Sequence, residues 1–267
     1  MVVVPRGEPS MTGSVSSVPV RMSWLFQCSS LKKLDISDNE FDVLPSTFGA
    51  FTKLEELICS KNCILKVDDD IRFCICLEKL VISSNPLSRI PEGILLLNYL
   101  QELCMNDCLL EFIPGNIGRL CLIKVLELRD NRLISLPRPL SRLVSLERID
   151  LGANRFENFP DVICRLHNIS ELLIDSNKIR AIPEAIGNLR ALNYLDVSYN
   201  SLQRIPSEIG DCKSLTHAYL NDNKLRSIPS TFSNITNLTI LRLDHNCLEY
   251  LPTNIGRYGY LCHLDCY

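Results

Sequence analysis

Residues 192–200 read LNYLDVSYN, with apolar side chains at the first, fourth and sixth positions and asparagine at the ninth. The same spacing of apolar side chains recurs every 23 residues along most of the chain. It begins at Leu31, Leu54, Leu77, Leu100, Ile123, Leu146, Ile169, Leu192, Leu215, Leu238 and Leu261. The chain therefore contains ten complete repeats of 23 residues and the start of an eleventh, numbered repeats 1 to 11 from Leu31.

This spacing, LxxLxLxxN with a period between 20 and 29 residues, is the signature of a leucine-rich repeat. Alternating polar and apolar residues predict a short strand whose first, fourth and sixth side chains point inward. An apolar-proline pair such as Ile182-Pro183 predicts a short helical turn, with Ile186 and Leu189 closing the core. We therefore predict an α/β fold, a leucine-rich-repeat solenoid with a parallel sheet on the concave face and short helical or 3₁₀ segments on the convex face.

Asparagine occupies the ninth position of nine repeats, at the point where the chain turns out of the strand. A buried side-chain amide there can bond backbone groups that the turn would otherwise leave unpaired. We predict a structural ladder of Asn39, Asn62, Asn85, Asn131, Asn154, Asn177, Asn200, Asn223 and Asn246. Cys108 takes this position in repeat 4, and its weak donor predicts a softer rung.

The two ends of the chain depart from the repeat. Residues 1–24 are rich in Ser, Val and Pro, follow no period and predict a disordered tail. The solenoid is predicted over residues 25–267, beginning with the remnant of a repeat that precedes repeat 1. Because residues 261–267 stop in mid-strand without a polar cap, we expect this sequence to be a piece of a longer array.

Composition limits the possible functions. Leucine supplies 44 of the 267 residues, while the net charge is −3 and the pI about 5.9, which argues against a nucleic-acid partner. No uninterrupted apolar run approaches the roughly 20 residues of a membrane-spanning helix. The thirteen cysteines contain no CxxC pair and suit a reducing compartment.

No nucleotide-binding, esterase or zinc-protease motif is present in the sequence. We therefore expect no enzymatic activity, no cofactor and no metal site. His217 and His263 share one column of the repeat but lie two strands apart, roughly 10 Å, which is too far for one metal ion. The acidic triplet Asp68–Asp70 has two interpretations, a metal or basic-partner site, or a solvated helix start favoured by the helix dipole.

The outward positions of the strands, the third, fifth, seventh and eighth of each repeat, carry fourteen acidic and six basic side chains. The resulting charge of −8 favours a basic segment of a protein partner, unless these aspartates serve only to solvate the strands. Interface anchors are enriched in Tyr and Arg. We therefore predict a protein contact at one group of side chains, the concave patch: Tyr194, Tyr199, His217, Tyr219, Arg242 and His245.

Several strings contain residues that the repeat alone does not dictate, such as Pro86, Asn106 and Gly152. They are LFQCSSL at 25–31, SNPLSRIPEG at 84–93, NDCLLEFIP at 106–114 with GRL at 118–120, LELRDN at 126–131, and LERIDLG at 146–152 before Asn154. In these strings the chain resembles the LAP family, the leucine-rich-repeat and PDZ polarity scaffolds of the Scribble, Erbin and Densin type. The resemblance covers about residues 25–267 and is most specific over 77–160.

The resemblance implies a non-catalytic scaffold in apical-basal polarity. It also implies a cytoplasmic location, with peripheral association at the basolateral membrane and cell junctions. Three alternatives remain open: a cytoplasmic Ras-pathway-type adaptor in signal transduction, a secreted or receptor ectodomain, and the regulatory region of an enzyme. The ectodomain alternative predicts a glycan at Asn168, whereas PDZ domains downstream of Tyr267 would favour the LAP family.

Overall fold

The computed structural model describes residues 2–3, 30–252 and 262–266. Its main feature is one parallel sheet of twelve strands. In sheet order the strands are Val2–Val3, Lys33–Asp35, Glu56–Ile58, Lys79–Val81, Glu102–Cys104, Val125–Glu127, Arg148–Asp150, Glu171–Leu173, Tyr194–Asp196, His217–Tyr219, Ile240–Arg242 and His263–Asp265. Within the repeats, paired residues are 23 positions apart, as in Leu172 beside Leu195. The repeat period therefore sets the register, and the predicted solenoid is confirmed.

The opposite face consists of short 3₁₀ segments. In chain order they are Ser46–Ala50, Asp69–Phe73, Ile94–Leu96, Gly115–Arg119, Arg138–Arg142, Asp161–Arg165, Glu184–Asn188, Ser207–Asp211 and Ser230–Asn234. In repeat 7, Pro183 is extended and precedes the segment, and the Leu189 N–H closes it by bonding to the Ile186 carbonyl at 3.0 Å. Two further strands, Val43–Leu44 and Lys66–Val67, pair at the side of repeats 1 and 2.

A continuous core lies between these two faces. In repeat 8 the side chains of Leu192, Leu195 and Val197 are buried against neighbouring repeats, and Ile186 and Leu189 of repeat 7 close the layer. Burial of one such side chain stabilises the fold by about 1.5–3 kcal/mol. Because each repeat covers only the next one, the core runs along the solenoid without a centre.

The ladder asparagines connect one repeat to the previous one. The amide nitrogen of Asn154 donates to the carbonyls of Leu128, Leu151 and Gly152 at 2.9, 3.1 and 3.1 Å. Its oxygen accepts the N–H of Leu133 at 2.9 Å. One side chain thus satisfies backbone groups of two successive turns, which the irregular backbone there could not pair by itself.

Cys108 makes weaker contacts in the same column. Its Sγ lies 3.8 Å from the Ile82 carbonyl and 3.6 Å from the Asn106 carbonyl. The Leu87 N–H, which an asparagine oxygen would accept in this column, instead bonds to the Asn85 carbonyl at 2.8 Å. The local turn thus compensates in part for the missing amide.

The prediction of a disordered tail over residues 1–24 lies outside the described residues apart from Val2–Val3, whose backbone pairs with Leu34 and Asp35. The repeat remnant that begins at residue 25 and the first residue of repeat 11 also fall outside the described residues. Among the described residues, no helical segment has the length and apolar character needed to cross a lipid bilayer.

Candidate protein-binding face

Three rings of the predicted concave patch lie together on two adjacent strands. Tyr194 pairs in register with His217, and their rings stack with centroids 5.7 Å apart. The Tyr194 and Tyr219 centroids lie 5.3 Å apart at an interplanar angle of 37°. All three side chains are half-buried. We call Tyr194, His217 and Tyr219 the aromatic platform.

Burial and the neighbouring Asp196 carboxylate raise the pKa of Tyr194 to about 12. A hydrogen bond with Tyr219 adds to this effect. The Tyr194 hydroxyl is therefore protonated at neutral pH, and the platform itself carries no negative charge.

Arg242 follows Tyr219 in the next strand, but its guanidinium is held by carboxylates. Its Nε lies 3.6 Å from Asp244 Oδ1, and its Nη2 lies 3.4 Å from Asp265 Oδ2. The Asp244 side chain is only 10% exposed. Arg242 therefore borders the platform as one partner of an ion pair rather than as a free cation.

Tyr199 lies in the turn after the strand, separate from the three stacked rings. Its side chain is 58% exposed, and its backbone is left-handed with φ of 52°. Each eighth position from repeat 1 to repeat 10 shares this conformation. The left-handed conformation costs a residue with a Cβ about 1–2 kcal/mol, and Asn and Asp adopt it more readily than other such residues. The strain therefore belongs to the repeat, and it is the exposed ring that makes Tyr199 a candidate contact residue.

His245 occupies the same turn position two repeats later, beside two carboxylates. Its Nδ1 lies 3.2 Å from Asp244 Oδ2 and 3.7 Å from Asp222 Oδ1. One ligand atom from each of these residues falls within 4.8 Å of the others, so this trio has a spacing that a metal ion could use. The repeat pattern directs attention to His217 and His263, whereas the members of this trio are neighbours in the chain or one repeat apart.

The acidic triplet of repeat 2 has a structural role. The Asp68 carboxylate accepts the Asp70 N–H at 3.1 Å and caps the 3₁₀ segment Asp69–Phe73. Asp69 Oδ1 accepts the N–H of Gly93 in the next repeat at 3.1 Å. These bonds favour the solvated helix start over a metal or partner site.

Most basic side chains of the concave face are paired with carboxylates. Five of the six lie in ion pairs: Lys33 with Glu56, Lys79 with Glu102, Arg129 with Asp175 and Asp150, Arg148 with Glu127 and Glu171, and Arg242 with Asp244 and Asp265. Since acidic residues outnumber basic ones on this face, the pairing leaves a surplus of carboxylates.

Among these ion pairs, Arg129 makes the one with the greatest sequence separation, to a residue 46 positions away. Its Nη1 and Nη2 donate to the two carboxylate oxygens of Asp175 at 2.8 and 2.7 Å. The guanidinium passes over Gly152, where a Cβ would lie 2.1 Å from Nη1. This contact, the Arg129 clamp, ties repeats 5 and 7 together across the concave face.

Comparison with known proteins agrees with this architecture. The family described as Leucine rich repeat matches residues 167–225, and the one described as Leucine Rich Repeat matches residues 30–51. A leucine-rich repeat protein of Leptospira interrogans is 30% identical, with a TM-score of 0.79, and the match covers 91% of this chain and 68% of that one. No curated protein sequence gives a significant match.

Two solved receptors are also similar. A TDR receptor is 29% identical with a TM-score of 0.81, and the match covers 91% of this chain and 44% of that chain. The plant peptide hormone receptor RGFR1, solved in complex with RGF2, is 27% identical with a TM-score of 0.77, at 91% and 40% coverage. This chain thus spans less than half the length of either receptor.

The repeat frame, the parallel sheet and these matches define the class: the chain is a leucine-rich repeat protein. Solenoids of this kind present extended concave surfaces for binding other molecules. The fold is therefore typical of a protein-protein interaction module.

Proposed function

We propose that this chain is a non-catalytic protein-protein interaction scaffold whose concave patch binds a basic segment of a protein partner. The aromatic platform is the observation that carries the proposal, since three half-exposed rings packed together resemble the aromatic anchors of interfaces. Carboxylates surround the platform, and Arg242, the cation in the next strand, is already paired. Charge complementarity therefore favours a basic partner.

At the cellular level we propose a role like that of the LAP family, in apical-basal polarity and junction organisation. The support is the set of sequence segments between residues 77 and 160 that resemble this family. The Arg129 clamp gives a physical reason why two of these segments have the residues they have. Arg129 and Gly152 belong to different segments, but the Arg129 side chain fits where it does only because Gly152 has no Cβ. The associated location is cytoplasmic, with peripheral attachment at the basolateral membrane. The twelve cysteines among the described residues form no disulfide with one another, and six of them are exposed, which suits such a reducing compartment.

Two alternatives are separable by experiment. A Ras-pathway-type adaptor is expected to end soon after the repeats, whereas a LAP scaffold is expected to continue into PDZ domains, so sequencing the transcript beyond Tyr267 distinguishes them. The similarity to plant peptide receptors favours an extracellular peptide-binding role instead. Mass spectrometry of the natural protein at Asn168 tests that role, since a glycan there would place the chain outside the cytoplasm.

The binding role itself is tested by comparing variants of the immobilised chain. We expect Tyr219→Ala to reduce recovery of the bound partner from an extract of the source tissue by at least tenfold, because a buried hot-spot aromatic contributes about 2 kcal/mol or more. Arg242→Ala frees Asp244 and Asp265 beside the platform, so with a basic partner we expect recovery to stay equal or rise. Lys213→Ala removes an equal charge from an exposed position off the strands and serves as the control.

A third variant separates binding from folding. Tyr199→Asn removes an exposed ring but places a residue tolerant of left-handed φ in the turn. Recovery should fall while the melting temperature stays equal or rises. Unchanged recovery with both tyrosine variants, each folded by circular dichroism, would contradict the proposed site.

A further inference from the structure

The aromatic platform groups three half-buried rings, and the electrostatics of an aromatic ring favour one kind of ligand group. The face of an aromatic ring is negative and attracts cations placed within about 6 Å of its centre. Among cations, the planar guanidinium of arginine stacks on rings and still donates hydrogen bonds from its edge. Tyr194 stacks on His217 and lies 5.3 Å from Tyr219 at an angle of 37°, so its faces are shared with these two neighbours. Tyr219 lies at the end of the group and keeps one face turned away from Tyr194.

A carboxylate with spare acceptor capacity lies next to these rings. Asp196 pairs in register with Tyr219. Its Oδ1 accepts both the N–H and the hydroxyl of Ser198, at 3.0 and 2.6 Å. Because both bonds go to the same oxygen, Oδ2 is left to accept from a ligand.

The surrounding charge is less balanced here than elsewhere on the concave face. The outward positions of repeats 7 to 10 carry five acidic residues and one basic residue, whereas those of repeats 1 to 6 carry eight and five. Arg242, the one base, is held by Asp244 and Asp265. Arg129 and Arg148 of repeats 5 and 6 neutralise Asp175 and Glu171 of repeat 7. Among the described residues, neither Asp196 nor Asp222 of repeats 8 and 9 has a lysine or arginine partner in an ion pair.

We propose that the aromatic platform is a subsite for an arginine side chain of the partner, stacked on Tyr219 with its guanidinium donating to Asp196. This inference rests on the proposed function and specifies what the partner presents. A lysine would satisfy the charge but could neither stack as a plane nor donate from two nitrogens side by side.

The test uses three amidated peptides, hexa-arginine, hexalysine and hexacitrulline, with affinities measured by calorimetry at about 0.15 M salt, where diffuse surface attraction is screened beyond roughly 8 Å. The wild-type chain should bind hexa-arginine at least fivefold more tightly than hexalysine, and hexacitrulline least tightly. Asp196→Asn keeps the oxygen that Ser198 uses but removes the charge, and it should weaken hexa-arginine binding at least tenfold. Tyr219→Leu should abolish the preference for arginine over lysine.

Asp107→Asn is the matched control. It makes the same charge change at an exposed concave residue of repeat 4, in a turn position that asparagine tolerates, and it should change affinity less than twofold. Equal weakening by Asp196→Asn and Asp107→Asn would overturn the subsite in favour of diffuse acidity. Equal binding of hexacitrulline and hexa-arginine would also overturn it. If no peptide binds while Tyr219→Ala still reduces partner recovery, the arginine subsite fails and the proposed function stands.

Discussion

Asn177→Ala is expected to lower the free energy of unfolding by about 2–4 kcal/mol, because the ladder amide leaves behind an unpaired buried group and a cavity. The Asn177 nitrogen donates to the carbonyls of Leu151, Ile174 and Asp175 at 3.0, 3.2 and 2.9 Å. Its oxygen accepts the Phe156 N–H at 3.0 Å. Urea denaturation followed by circular dichroism measures the change.

The four bonds of Asn177 do not contribute equally. The Leu151 carbonyl also accepts from Asn154, and the Asp175 carbonyl also accepts the Ala153 N–H. These acceptors keep one partner after the substitution. The Phe156 N–H has no such substitute in the described contacts, so its desolvation dominates the expected loss.

Cys108→Ala provides the control in the same column of the repeat. Its thiol makes only long contacts, and the Leu87 N–H in the adjacent turn already bonds to the Asn85 carbonyl. We expect a loss of about 1 kcal/mol, the cost of a small cavity. Equal losses for the two substitutions would show that the amide contributes no more than its volume.

Gly152→Ala is expected to destabilise the chain by about 3 kcal/mol at neutral pH, because it breaks the Arg129 clamp and leaves a buried carboxylate without its partner. The new Cβ would lie 2.1 Å from Arg129 Nη1 and 2.6 Å from Asp175 Oδ1. Asp175 is buried, with 6% of its surface exposed. Gly115→Ala is the matched control, since its nearest neighbour atom, Pro139 Cγ, is 3.7 Å from the new Cβ, an ordinary contact.

The destabilisation caused by Gly152→Ala should depend on pH. Burial by itself would raise the pKa of Asp175, but the hydrogen bonds from Arg129 and Ser176 bring it below the usual value. A carboxyl with a lowered folded pKa contributes stability above its unfolded pKa, and that contribution disappears as pH falls through the folded pKa. The difference between wild type and Gly152→Ala should therefore be full at pH 7 and shrink below about pH 4. A difference that is independent of pH would contradict the clamp.

Particular positions show which features of the fold and of the candidate site the sequence predicts. The spacing of Leu192, Leu195 and Val197 predicts which side chains are buried, and a fixed period of 23 predicts which residues pair across strands. The neighbourhood of Tyr194, His217 and Tyr219 follows from that register alone. These features depend on backbone geometry, which the repeat determines.

Side-chain direction was beyond the sequence argument. Arg129 has several carboxylates within reach and selects Asp175, two strands away, because Gly152 leaves the path open. Arg242 is predicted to belong to a protein contact, and the structure adds that its guanidinium pairs with Asp244 and Asp265, which the repeat pattern does not indicate. The choice among nearby acceptors depends on torsions and space rather than on the repeat pattern.

The claim that the partner lies on the concave patch is tested most directly by site-specific photo-crosslinking. A benzophenone amino acid replaces Tyr199, where one exposed aromatic ring takes the place of another. In the control it replaces Lys213, which is exposed and lies off the strands. The account predicts one crosslinked partner from position 199 and none from position 213. Crosslinking from 213 and not from 199 would contradict it.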